Sequence, residues 1–237
     1  MDFGSPTSAG VEERRLAVDS RWGTPSEAPC VVRIGSIECL VIRRHGRDGD
    51  ISPHKINYRA NLWQMQMAGV SAVVGTHTVG GIDPALPVGA LVLPEQLIDY
   101  TWGRESTFDD RRRHIEFSEP YDAKLRQQLL ELDLDSALHK GGVYEGGVYG
   151  CTQGPRLETP AEIRRMANDG CTLVGMTGMP EASLARELGL PFASVCLVVN
   201  PAAGVGEGVI DMQALQKISH QGADDFVTLI RGLALEG

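Results

Sequence analysis

The chain has 237 residues with 22 basic and 31 acidic side chains, a formal charge of −9 and a hydrophobic fraction of 42%. This suits one large domain or two small ones with a sizeable core, and the acidic balance argues against a nucleic-acid partner, whose phosphates demand basic patches. No window of about 18 apolar residues is present to span a membrane, and Met1–Gly10 is small and polar rather than an apolar signal core, so a soluble, cytoplasmic protein is expected.

Met1–Pro29 is rich in Gly, Ser, Thr, Pro and charge and reads as an irregular segment; residues 30–237 read as a single domain without an internal linker. Cys30–Ile34 and Ile37–Arg44 read as two strands joined by a tight Gly35-Ser36 turn. Asn57–Gly69 reads as a helix ending at its glycine. Ala72–Gly75 is a short apolar strand followed by a loop, Thr76–Gly81, and Leu91–Pro94 and Leu97–Tyr100 are further extended pieces. Asp122–Leu138 reads as a helix with Leu125, Leu129 and Leu132 on one face, and Val143–Thr152 as one strand. Thr159–Asp169 is a helix opened by a capping box of Thr159 with Glu162. A strand over Leu173–Met176, a helix over Pro180–Leu188, a strand over Phe192–Val199 and a long helix over Asp211–Leu235 follow. Strand–helix alternation of this kind defines an α/β fold with a mixed or parallel sheet, in which ligands bind in the loops leaving the strands. The five cysteines, Cys30, Cys39, Cys151, Cys171 and Cys196, are odd in number and form no CxxC pair; reduced, buried thiols are expected rather than disulfides or zinc.

The loops after the strands carry Arg43-Arg44-His45-Gly46, Thr76–Gly81, Met176–Glu181 and Asn200. Arginine, hydroxyls and glycine-freed amides at strand ends are what a phosphate or sugar site requires. The plainer alternatives are a solvated charge for Arg44 and an ordinary turn for Gly80-Gly81. Neither a Walker pattern nor a strand-linked GxGxxG is present.

Taken together, Arg44–Gly46, Pro53–Asn61, Gly154–Thr159, Gly175–Glu181 and Val199-Asn200 resemble the trimeric nucleoside phosphorylases. That family includes purine nucleoside and methylthioadenosine phosphorylases, and the overall pattern is nearest to its bacterial methylthioinosine-type members. The resemblance spans residues 30–235. It implies a single-domain phosphorylase fold, a homotrimer, no metal or organic cofactor, and inorganic phosphate as co-substrate attacking a purine nucleoside. By the same resemblance Arg44, His45, the backbone at His77-Thr78 and the Thr177 hydroxyl would hold phosphate. Met176 would lie against the ribose, and Asn200, with Pro201 and Ala202 beside it, would meet the base together with Glu158. Asn200, Glu158 and His45 are the residues expected to carry catalysis.

The chemistry makes sense of these residue types. The glycosidic bond breaks through an oxocarbenium-like sugar, so an oriented phosphate is both nucleophile and counter-charge, and the departing purine needs hydrogen bonds that strengthen as it becomes anionic. Hypoxanthine offers N1–H as a donor and O6 and N7 as acceptors, whereas adenine offers an amino donor and a bare N1. Glu158 can accept N1–H and the Asn200 amide can donate to O6, a match to a 6-oxopurine; by the resemblance, adenine-specific relatives carry a small hydroxyl residue at the position of Glu158 and Asp at that of Asn200. A helix N-terminal carboxylate and a strand-end cap are the plainer readings of Glu158 and Asn200. Aligned from the C-terminal helix, Val209 falls where other members place a histidine for the 5'-hydroxyl, which suits a methylthio group; simple core packing is the alternative.

Two departures from the pattern stand out. The opening strand and Gly-Gly-Thr-Gly loop of the family are missing, replaced at best by Gly4–Ser8 with Thr7 as a substitute hydroxyl. His77 stands where relatives have Asn or Thr, as a hydrogen-bond donor to phosphate or as a structural group. A paralogue that binds a purine nucleoside without turnover is therefore the reading from another class.

Overall fold

The structure, a computed structural model, describes residues 14–15, 20–34, 36–109, 114–132, 138, 143–206 and 212–233. The sequence expectations for Gly4–Ser8, Thr7, the Gly35 turn, Val209 and the end of the second predicted helix lie outside those residues. The elements are β1 (Arg14–Arg15), β2 (Cys30–Ile34), β3 (Ile37–Val41), α1 (Tyr58–Met67), β4 (Val73–Gly81), β5 (Leu91–Leu93), β6 (Gln96–Asp99), α2 (Ala123–Leu130), β7 (Val143–Glu145), β8 (Val148–Cys151), α3 (Pro160–Asn168), β9 (Leu173–Gly175), α4 (Glu181–Leu188), β10 (Phe192–Pro201) and α5 (Met212–Leu233).

A seven-stranded sheet in the order β6-β8-β9-β4-β10-β5-β7 forms the centre, and β1-β2-β3 make a small separate antiparallel sheet. The axis of the large sheet is β4 beside β10, parallel from Val73 opposite Phe192 to Gly81 opposite Pro201. β10 is buried along eight consecutive residues, all but Ser194 apolar, as befits a strand covered on both faces. Leu184 of α4 and Cys196 and Val198 of β10 share one core cluster, and Leu215 and Leu229 of α5 pack with Val195 and Leu197 in another.

Two expectations are corrected. Thr76–Gly81 is not a loop: it continues β4, because parallel pairing with β10 supplies the backbone partners that its Thr, His and Gly composition did not advertise. Val143–Thr152 is not one strand. Gly146 and Gly147 take φ of 87° and 97°, which side chains rarely adopt, and the chain bends there. β7 then pairs with β5 at one edge of the sheet while β8 pairs with β6 and β9 near the other. Gly146 N–H donates to Leu93 O at 2.9 Å, and Glu95 N–H to Gly147 O at 3.0 Å, across the bend. The sheet therefore curls until its two edges meet at that bend.

The capping box expected at Thr159 is present, and two further helices are capped by side chains. Asn57 and Asp122 accept from the backbone of Ala60 and Leu125, and at α3 Thr159 and Glu162 form the reciprocal box. Removing a cap of this kind costs about 1 kcal/mol, so Thr159→Ala should lower the thermal midpoint by about 2–4 °C for a chain of this size. A calorimetric scan checks it.

Candidate active site

β8 runs parallel to β9, with Cys151 opposite Gly175, so Thr152 and Met176 leave the sheet side by side. β9 runs antiparallel to β4, with Gly80 opposite Val174 and Gly81 opposite Leu173. Continued past the last paired residues, that register sets His77 against Thr177, and their side chains meet at 2.8 Å between Nδ1 and Oγ1. At the far end of β4, Asn200 and Pro201 stand beside Gly80 and Gly81 after a bulge in β10, and Ala202 N–H donates to Gly81 O at 2.7 Å. The two groups are three residues of strand apart, about 10 Å.

The loop leaving β9 is packed too tightly for anything but glycine at two points. A Cβ on Gly175 would sit 2.2 Å from the Tyr149 hydroxyl, and one on Gly178 2.9 Å from the Tyr149 ring. Tyr149 is fully buried and accepts a hydrogen bond from Thr177 N–H at 3.3 Å.

Arg44 is not a solvated charge. Its side chain is 14% exposed and clasps Glu181 in the first turn of α4, Nε to Oε1 at 2.7 Å and Nη2 to Oε2 at 2.9 Å, while Nη1 donates to Thr76 O. Burial opposes the charge on Arg44, but contact with Glu181 outweighs it and the net shift is upward. One N–H on each Nη is left over by these bonds. Glu181 is 5% exposed, and its Oε2 lies 3.9 Å from His77 Nε2.

His45 Nδ1 lies 2.8 Å from Ile51 O; a carbonyl only accepts, so Nδ1 carries the proton and a neutral ring offers Nε2 as an acceptor. Its pKa is pushed down to about 4, chiefly by burial, with Arg44 acting in the same direction. His77 is 1% exposed and held well below the ordinary range by burial and by the neighbouring Arg44 and His45. The imidazole of His77 thus sits one layer behind any surface a ligand could touch, while Thr78 is half-buried on the same strand.

Glu158 is half-buried and accepts from Thr152 Oγ1 at 2.6 Å. Asn200 turns its amide onto its own loop, Nδ2 donating to Pro201 O at 2.6 Å. Each base-reading candidate is held by its own loop rather than by the other. Met176 is half-buried against Gly154, whose φ is 60° and where a Cβ would meet Met176 Sδ at 2.5 Å.

Three residues escaped the sequence reading. Arg104 donates to Thr152 O at 3.1 Å, Gln153 O at 2.9 Å, Met176 O at 2.9 Å and to Met179 O, and so ties the exits of β8 and β9 together. Glu181 and Thr152 are the partners of Arg44 and Glu158 just described. A carboxylate in the first turn of the helix, at the end of the Gly175–Glu181 motif, was the available signal for Glu181; Arg104 had none. Among the described residues no group of three or more His, Cys, Asp or Glu side chains is placed to hold a metal, and no helix is long and apolar enough to cross a membrane.

A curled α/β sheet with a buried cation, hydroxyls and an amide gathered where its strands end defines a small-molecule enzyme. The chain belongs to the phosphorylase superfamily, which it matches over residues 7–234. It is 45% identical over 213 residues to a probable S-methyl-5'-thioinosine phosphorylase of Pseudomonas syringae pv. tomato, covering 87% of this chain and 85% of the relative. It is 42% identical over 209 residues to an S-methyl-5'-thioadenosine phosphorylase of Mycolicibacterium smegmatis, covering 87% and 78%. Methylthioadenosine phosphorylase from Schistosoma mansoni, solved with adenine, superposes with a TM-score of 0.87 at 27% identity over 97% of this chain and 86% of that one.

Breaking the buried pair from one side should be expensive. Glu181→Ala leaves Arg44 desolvated without its partner and should lower stability by about 3–5 kcal/mol, whereas Arg44→Met with Glu181→Leu should lose much less; denaturant titration separates the two. The depressed His45 pKa also gives stability a sign with pH. Between pH 6.5 and about 4 the unfolded chain takes up a proton that folded His45 refuses, so stability is complete above pH 6.5 and is lost as pH falls toward 4. Thermal midpoints across that window should decline, and His45→Asn should lessen the decline without abolishing it, because His77 is also held below the ordinary range.

Proposed function

We propose that the chain catalyses the phosphorolysis of S-methyl-5'-thioinosine to hypoxanthine and 5-methylthioribose 1-phosphate, as a cytoplasmic homotrimer in purine salvage that uses phosphate as co-substrate and no metal or organic cofactor. The observation that carries the reading is the chemistry of two residues at strand exits, a Glu158 carboxylate that accepts from Thr152 and an Asn200 amide at the end of β10, which together would suit a 6-oxopurine. It is supported by the similarity to relatives named as thioinosine phosphorylases. Arg44, His45, Thr78 and Thr177, at the level of His77 on β4, would hold phosphate, and Met176 the ribose.

In this reading phosphate attacks C1' as the glycosidic bond opens, and its charge faces the oxocarbenium-like sugar. The base leaves with its electron pair; Asn200 swings from Pro201 O to donate to N7 and O6, and the carboxylate of Glu158, steadied by Thr152, accepts N1–H. Pro201 and Ala202 wall the base, and Val209 would face the 5' substituent.

The Mycolicibacterium relative keeps methylthioadenosine as the second reading. Base release from methylthioinosine, methylthioadenosine and inosine, each with and without phosphate, decides between them. Phosphate-dependent hypoxanthine release fastest from methylthioinosine is expected; preferential adenine release supports the second reading, and no release from any substrate leaves a binding protein. The base argument has its own test. Asn200→Asp with Glu158→Ser should move preference toward adenine substrates by at least about a hundredfold, and no gain with adenine substrates refutes it.

A further inference from the structure

The buried cluster behind Thr177 carries a step beyond the phosphate reading just given, and rests on it. Both ring nitrogens of His77 are engaged: Nδ1 lies 2.8 Å from Thr177 Oγ1 and Nε2 lies 3.2 Å from Ser194 Oγ. Around the ring stand Arg44 and Glu181, joined to each other, the neighbouring His45, and Tyr149, whose ring meets the imidazole edge-on at 5.5 Å. Ser194, 1% exposed, comes from β10 on the side away from Thr177.

A neutral imidazole has one proton, so only two arrangements satisfy these contacts. In the first, Nε2–H donates to Ser194 and Nδ1 takes the proton of Thr177; the Thr177 oxygen then turns only lone pairs outward and repels an anion. In the second, Ser194 donates to Nε2, Nδ1–H donates to Thr177 Oγ1, and the Thr177 proton is released to point outward. Only the second meets a phosphate oxygen with a hydrogen bond.

We propose that His77 is the positioning residue of the phosphate site: its Nδ1–H, maintained by the Ser194 hydroxyl on Nε2, aims the Thr177 hydroxyl at the anion without touching it. A position that the sequence left open between a donor to phosphate and a structural group thereby acts through its neighbour.

Histidine-selective 15N NMR of the whole protein in saturating inorganic phosphate reads the tautomer directly. Protonated Nδ1 with bare Nε2 on His77 is expected; a proton on Nε2 overturns the proposal. This measurement needs no turnover, so it stands apart from the base-release assay that tests the phosphorylase reading. The kinetic arm is Ser194→Ala, which removes a hydroxyl remote from substrate. Its KM for phosphate should rise about tenfold, one lost hydrogen bond, with the nucleoside KM changed by less than about twofold. An unchanged or lowered phosphate KM, or a parallel rise in both, overturns the proposal. His77→Asn, which keeps an N–H where Nδ1 stands, should hold phosphate KM near the wild-type value, while His77→Leu should raise it like Ser194→Ala.

Discussion

A guanidinium and a carboxylate withdrawn from water together, Arg44 and Glu181, organise the centre of this molecule. The pair ties the segment after β3 to the first turn of α4, and Nη1 reaches the backbone of β4 at Thr76. Three elements far apart in sequence are thereby referenced to one rigid fork. Taking both charges out of water is costly, and a well-packed apolar pair could match it in stability. What an apolar pair could not do is keep further N–H donors on the same guanidinium beyond those spent on Glu181 and Thr76.

Close packing does the complementary work. The loop from Gly175 to Gly178 folds directly over the Tyr149 ring because no side chain intervenes at either glycine. Arg104 then gathers the carbonyls of both strand exits onto one guanidinium. Carbonyls that leave a sheet in parallel repel one another unless a donor stands between them. With Arg104 present they can hold Met176 and Thr177 on one side and Thr152 with Glu158 on the other.

The parts of this arrangement that were legible in the sequence are those fixed by neighbours a few residues away. The Thr159–Glu162 box and the largely apolar run of β10 announce themselves locally. Thr76–Gly81 did not, because its strand character comes from β10, more than a hundred residues later. The bend at Gly146-Gly147 was hidden inside a run that alternates well enough for one strand, and only the curl of the sheet gives the break a purpose. Among the candidate site residues, residue types and a family resemblance pointed to Arg44, Thr177, Asn200 and Glu158. Partnership could not be read: Arg44 with Glu181 and His77 with Thr177 and Ser194 are pairings of register, which appear only once β4, β9 and β10 are laid side by side.

The resulting electrostatics suit an anion that must keep its charge. Among the described residues of the cluster, Arg44 is offset by Glu181, and His45 and His77 are held neutral by burial. Phosphate entering here would meet directed N–H and O–H groups rather than a net positive charge. A cation placed against it would stabilise the ground state and drain the charge that an oxocarbenium-like sugar needs to face, and interactions equal in ground and transition state add nothing to turnover. A neutral, hydrogen-bonding cradle binds the anion less tightly but leaves its field aimed at C1', where charge develops as the bond opens. The neutral imidazole at position 77 fits that design better than a protonated one, since it passes on a direction without adding a charge.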